Sequence, residues 1–130
     1  MPKLVTLDWS RFSSLTDARR PFATKPFATK PCVYVQTDSL ACPVRVGMAS
    51  KGLNARYRGG TGYAIDAAMH DSKNLVFVAE VPLEYCALIE QNLIWQYRRL
   101  LIYNNVGKRT CPETCLRFAH DGDPPDFPDA

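Results

Sequence analysis

The run from Leu83 to Leu101 constrains this chain most: apolar residues recur there at helical spacing, and a carboxylate, Glu90, falls inside the stripe. At about 100° per residue, Leu83, Cys86, Leu93, Ile94 and Tyr97 share one face with Glu90, while Glu84, Gln91 and Arg98 point the other way. The spacing predicts an amphipathic helix laid against the rest of the fold. Pro82 opens it, since a missing N–H costs nothing in a first turn. Burying an unpaired charge costs on the order of several kcal/mol or forces protonation. Glu90 therefore implies an arginine, a metal ion or a wet cleft beneath the helix. A helix edge turned to solvent and a structural ion pair are the plain alternatives.

Upstream the apolar period changes to two. Cys32 to Thr37 alternates Val33 and Val35 against Tyr34 and Gln36, Asp38 to Pro43 supplies turn residues, and Val44 to Gly47 alternates again. This predicts a β-hairpin with Val33, Val35, Val44 and Val46 facing the core and Tyr34 and Arg45 on the opposite face. A helical stretch from Lys51 to Tyr57, a break at Gly59, Gly60 and Gly62, and a short helix from Tyr63 to His70 follow. Asn74 to Val81, rich in Val and Phe, reads as a third, largely buried strand. The expected fold class is α+β, with a small, mainly antiparallel, three-stranded sheet flanked by helices. Residues 1–30 form an N-terminal arm in which Pro-Phe-Ala-Thr-Lys occurs twice, from Pro21 to Lys25 and from Pro26 to Lys30. Residues 31–109 form the compact domain. Residues 110–130 form a C-terminal extension whose acidic tail past Asp121 is expected to be poorly ordered.

At 130 residues, with 46% hydrophobic and 22% charged, the chain suits one globular domain with a real core. Charge is unevenly placed: residues 31–120 carry ten Lys/Arg against seven Asp/Glu, whereas the last ten residues carry four Asp and no base. A mildly basic body is compatible with nucleic acid without demanding it. No stretch is apolar enough to span a membrane, and Met1 to Phe12 lacks an uninterrupted hydrophobic core for secretion, so the expected location is cytoplasmic. Of five cysteines, Cys32 and Cys86 fall on core elements, as small buried thiols do. Cys111, Cys115 and His120 lack an obvious fourth ligand and match no standard zinc spacing, which favours a loop with free thiols.

Taken in order, Cys32-Val33-Tyr34, Arg45-Val46-Gly47, Arg56, Glu90 and Tyr103-Asn104 resemble the motif series of the GIY-YIG endonuclease superfamily, with Tyr34 and Arg45 eleven positions apart. The likeness spans residues 31–109. It implies hydrolysis of DNA, or alternatively RNA, with one Mg²⁺ or Mn²⁺ held by Glu90. It gives Arg56 the phosphate clamp, Tyr34 the positioning or activation of water, and Asn104 a backbone-holding role near the metal, with Asn105 as the register alternative. Each residue type also has an ordinary structural use: a solvated helix-face arginine, a half-buried strand aromatic, a turn asparagine.

The departures bear on activity. Arg45 stands where the second tripeptide has tyrosine, and arginine accepts no proton. Cys32 replaces the first glycine, Met48 stands where a lysine is usual, and Gly60 stands one turn after Arg56 instead of Tyr or His. Tyr57, Tyr63, His70 and Lys51 are candidates to fill the gap. Two readings follow. One is a divalent-metal-dependent endonuclease with Tyr34, Arg45, Arg56, Glu90 and Asn104 as catalytic residues and Lys51, Arg58 and Lys108 as nucleic-acid contacts. The other is a catalytically degenerate domain that binds nucleic acid or a protein partner without cutting. A homodimer is also compatible with the outward Leu88 and Trp95 of the long helix.

Overall fold

A computed structural model describes residues 3–12, 30–38, 40–52, 75–101 and 111–127. Strand β1 (Lys3–Phe12) is followed by β2 (Cys32–Thr37), β3 (Pro43–Ala49), β4 (Val76–Glu80), a 3₁₀ turn (Leu83–Tyr85), helix α1 (Cys86–Gln96) and β5 (Leu116–Gly122). The strands form one sheet in the order β3-β2-β4-β1-β5. The α+β class holds, but the sheet is five-stranded and mixed, not the three-stranded, mainly antiparallel one expected, and α1 is the one α-helix among the described residues.

The two extra strands come from segments flanking the compact domain. In β1, Leu7 and Trp9 are buried and Val5 half-buried, while Thr6 and Asp8 between them are exposed. In β5, Leu116, Phe118 and His120 alternate likewise and lie opposite Lys3, Val5 and Leu7 of β1 in a parallel pair. β1 pairs antiparallel with β4 on its other side, bringing Trp9 beside Ala79. The acidic tail is also placed, contrary to expectation: Asp123 N–H donates to Trp9 O at 2.9 Å and Asp126 N–H to Ala41 O at 2.9 Å. Phe127 then stacks between Tyr97 and His120, 4.4 Å from each ring.

The hairpin forms as expected except at Val44, which a bulge after Gln36 leaves unpaired, half-buried and outside the core. β2 and β3 pair antiparallel with Tyr34 opposite Gly47 and Gln36 opposite Arg45. Asp38 organises the turn, its Oδ1 accepting from Leu40 and Cys42 N–H. Val33, Val35, Val46, Phe77, Ala79, Leu7 and Trp9 meet Cys86, Ile89, Leu93, Ile94 and Tyr97 of the helical segment in the core. Leu83 departs from the expected stripe and is 62% exposed. Its turn is 3₁₀, which winds at about 120° per residue and carries it off the α-helical register.

Asn92, fully buried, docks α1 onto the start of β5. Its Nδ2 donates to Thr114 O at 2.9 Å and its Oδ1 accepts from Leu116 N–H at 2.9 Å, while Gln96 Nε2 donates to Leu116 O at 2.8 Å. Two helix amides thus stand in for the missing neighbour of an edge strand. Asn92→Ala strands the buried Leu116 N–H. It is expected to cost about 1–3 kcal/mol in urea unfolding, with Asn92→Asp recovering part of that by restoring the acceptor.

Trp9 Nε1–H donates to His120 Nδ1 at 2.9 Å, which requires that nitrogen to be unprotonated. Burial holds the His120 imidazole below its ordinary range. The unfolded chain therefore takes the proton first. The stability this residue contributes is complete above its ordinary value of 6.5 and drains away as pH falls through the lower folded value. Melting temperature should drop between pH 7 and pH 5 more steeply in the parent than in His120→Gln; parallel curves would refute this.

Among the described residues no helix is long and apolar enough to cross a membrane.

Candidate functional site

Tyr34 and Arg45 come together on the sheet. Arg45 Nη1–H donates to Tyr34 Oη at 3.0 Å, and its guanidinium carbon stands 5.8 Å from the ring centroid. Tyr34 is fully buried and Arg45 is 6% exposed. The pairing needs Gly47: a Cβ there would overlap Oη and Cζ of Tyr34 and lie 2.7 Å from Cε2, so the phenol lies flat on the glycine of the neighbouring strand. A hydrogen bond from a charged donor inside the protein is worth about 1.5–3 kcal/mol, enough to fix both side chains.

Gln36 is the residue the sequence reading passed over. It follows Tyr34 by two on β2, shares its face, lies opposite Arg45 on β3 and is fully buried. Among the described residues neither its Oε1 nor its Nε2 meets a hydrogen-bond partner. Each unmet group costs about 1–3 kcal/mol, so this amide works against folding as it stands. The signal was present as a lone carboxamide in the apolar run Val33-Tyr34-Val35-Gln36, in register with the only arginine of the opposite strand.

Glu90 sits on α1 between buried neighbours: Cys86 one turn before, Leu93 and Ile94 one turn after. Its own side chain stays half-exposed, as a carboxylate facing a wet cleft would be. The Cys86 Sγ, one turn before it, donates to Cys32 O at 3.5 Å, where β2 begins and β3 ends. Burial, and after it the Glu90 carboxylate, push the Cys86 thiol up. Burial chiefly, with Cys86 and Glu80 adding to it, pushes the Cys32 thiol to about 12. Neither thiol supplies a thiolate near neutral pH, so neither is a nucleophile or a metal ligand there. Lys51 is exposed in the turn that follows β3, at this same end of the hairpin.

The expected constellation therefore divides. The register turns Tyr34, Gln36 and Arg45 away from the Val33, Val35 and Val46 face on which α1 packs, and β3 is the outermost strand, with Glu90 rising from the helix on the other face. Arg56, Arg58, Asn104 and Lys108 lie outside the described residues, as do Tyr57, Tyr63, His70 and Asn105. Cys111 and Cys115 are exposed free thiols, and no three or more His, Cys, Asp or Glu side chains converge as a metal cluster among the described residues.

No family model, curated protein or solved structure matches the chain.

Proposed function

We propose that this chain is a divalent-metal-dependent endonuclease acting on DNA, with Glu90 as the metal ligand. The observation that carries the reading is a half-exposed carboxylate within the buried arc of a helix packed on the hairpin. A single carboxylate fits Mg²⁺ or Mn²⁺, which need few protein ligands and keep several waters. When bound, such a cation polarises a phosphate oxygen and offsets charge on the leaving group. Arg56 would grip the phosphate in a bidentate fork and Asn104 would hold backbone near the metal, while Tyr34, buried with Arg45 over Gly47 on the far face of the sheet, would brace the hairpin that carries the site. Lys51, Arg58 and Lys108 would supply phosphate contacts that fade with salt.

A second reading, nucleic-acid binding without cleavage, is favoured by the burial of Tyr34 and Arg45 against each other on the face away from α1. One experiment separates the two. Supercoiled plasmid is incubated with Mg²⁺ or Mn²⁺ and with a chelator control, and binding to the same DNA is measured in Ca²⁺ at low salt. Metal-dependent nicking supports the nuclease, binding without nicking supports the second reading, and absence of both removes nucleic acid as the substrate class.

A further inference from the structure

The fold sorts the five cysteines by access to solvent. Cys32 and Cys86 are buried where β2 meets the start of α1, and Cys42 is half-buried in the hairpin turn, whereas Cys111 and Cys115 are exposed free thiols. These two end the arc Cys111-Pro112-Glu113-Thr114-Cys115, which leads into β5. The arc is seated on the helix. Pro112 within it and Leu116 just after it are buried, Thr114 O accepts from Asn92 Nδ2 at 2.9 Å, and Leu116 N–H donates to Asn92 Oδ1 at 2.9 Å. The chain bends at Glu113 and again at Thr114, so Cys111 and Cys115 lie closer together than the roughly 13 Å that four extended residues span. A disulfide needs Cα atoms within about 7 Å and side chains free to turn toward each other. Exposure meets the second condition, and the two bends draw the arc toward the first.

We propose that Cys111 and Cys115 are a redox switch that closes to an intramolecular disulfide when the chain meets a small disulfide such as oxidised glutathione. One protein thiolate attacks a sulfur of the small disulfide, giving a mixed disulfide and releasing one small thiolate; the second then attacks the protein sulfur of that bond and releases the other. The two protein thiols lose two electrons, the small disulfide gains them, and the two protons leave with the released thiols. Cys32 and Cys86 stay out of the exchange because burial keeps the oxidant from them. The Asn92 clamp ties the bond to the docking of α1 on β5, since the arc it holds in the folded chain is the one that brings the thiols together. None of this depends on Glu90 or on nucleic acid.

The test equilibrates the full chain with oxidised and reduced glutathione over a range of ratios, quenches with acid, alkylates the remaining thiols and maps them by mass spectrometry. Cys111 and Cys115 should lose their alkylation together, in a peptide lighter by two hydrogens, while Cys32 and Cys86 remain thiols. Cys111→Ser and Cys115→Ser should each hold a glutathione adduct on the remaining cysteine of the pair. The folded chain should close the bond at a ratio at least about fivefold less oxidising than the chain in urea, and by linkage the oxidised protein should melt a few degrees above the reduced one. Asn92→Asp keeps the acceptor for Leu116 N–H but frees Thr114 O, and should lose most of that advantage. Glutathione adducts that persist on both cysteines of the parent, with no bond between them, overturn the proposal. So does a bond that closes no more readily in the folded chain than in urea, or equally readily in Asn92→Asp.

Discussion

Glu90→Ala is expected to abolish metal-dependent nicking of supercoiled plasmid, lowering the rate by at least about a hundredfold, with melting temperature within a few degrees of the parent. The large effect on rate follows from the donor set proposed above: with one carboxylate holding the cation, no second protein ligand replaces it. The small effect on stability follows from position. The side chain is half-exposed, and alanine has the best helix propensity, so little packing is lost and the helix itself gains slightly. A second readout needs no cleavage. Because the Glu90 carboxylate helps push the Cys86 thiol up, its removal should shift alkylation of Cys86 to lower pH. Nicking that persists in Glu90→Ala would sink the assignment of the metal to this residue. An unchanged Cys86 profile would show that the carboxylate does not face the start of β2.

Gly47→Ala is expected to destabilise the fold by about 2–4 kcal/mol, or roughly 8–15 °C in melting temperature for a domain of this size. The new methyl would occupy the place of Oη and Cζ of Tyr34, and the ring has no room to yield because it is fully buried. To move, the phenol must release Arg45 Nη1, so a buried cation loses a partner as the sheet is overpacked. A double-mutant cycle isolates the contact. In a Tyr34→Ala background the ring is gone, and adding Gly47→Ala should then cost less than about 1 kcal/mol. Additive costs would mean that Gly47 is needed for some reason other than the phenol.

The hairpin was legible because its signals are local. Period-two alternation, a turn opened by Asp38 and the spacing of Tyr34 from Arg45 set the strands and the common face of the two side chains, whereas the pairing of Tyr34 with Gly47 and the bulge after Gln36 emerged only in the structure. The helix was legible for the same reason, apart from the 3₁₀ geometry that frees Leu83. β1 and β5 carry equally clear alternation at Val5-Leu7-Trp9 and Leu116-Phe118-His120. Their partnership joins opposite ends of the chain, and a strand pattern does not name the strand beside which it will lie. The tail was misjudged on composition. Its Asp and Pro suggested a solvated end, whereas Phe127 supplies the apolar surface that stacks it between Tyr97 and His120.

For the candidate site, the sequence by itself determined which chemical groups are available: a carboxylate inside an apolar helical stripe, and a phenol and a guanidinium on one face of paired strands. Only the tertiary structure decided how they are grouped. Tyr34 and Arg45 bond to each other over Gly47, Gln36 joins them as a buried amide unmet among the described residues, and Glu90 stands with Cys86 at the end of the hairpin on the helix side. The physical reason is that periodicity fixes which face of its own element a side chain occupies. Burial, hydrogen-bond satisfaction and the choice of neighbour arise only when elements from distant parts of the chain pack together.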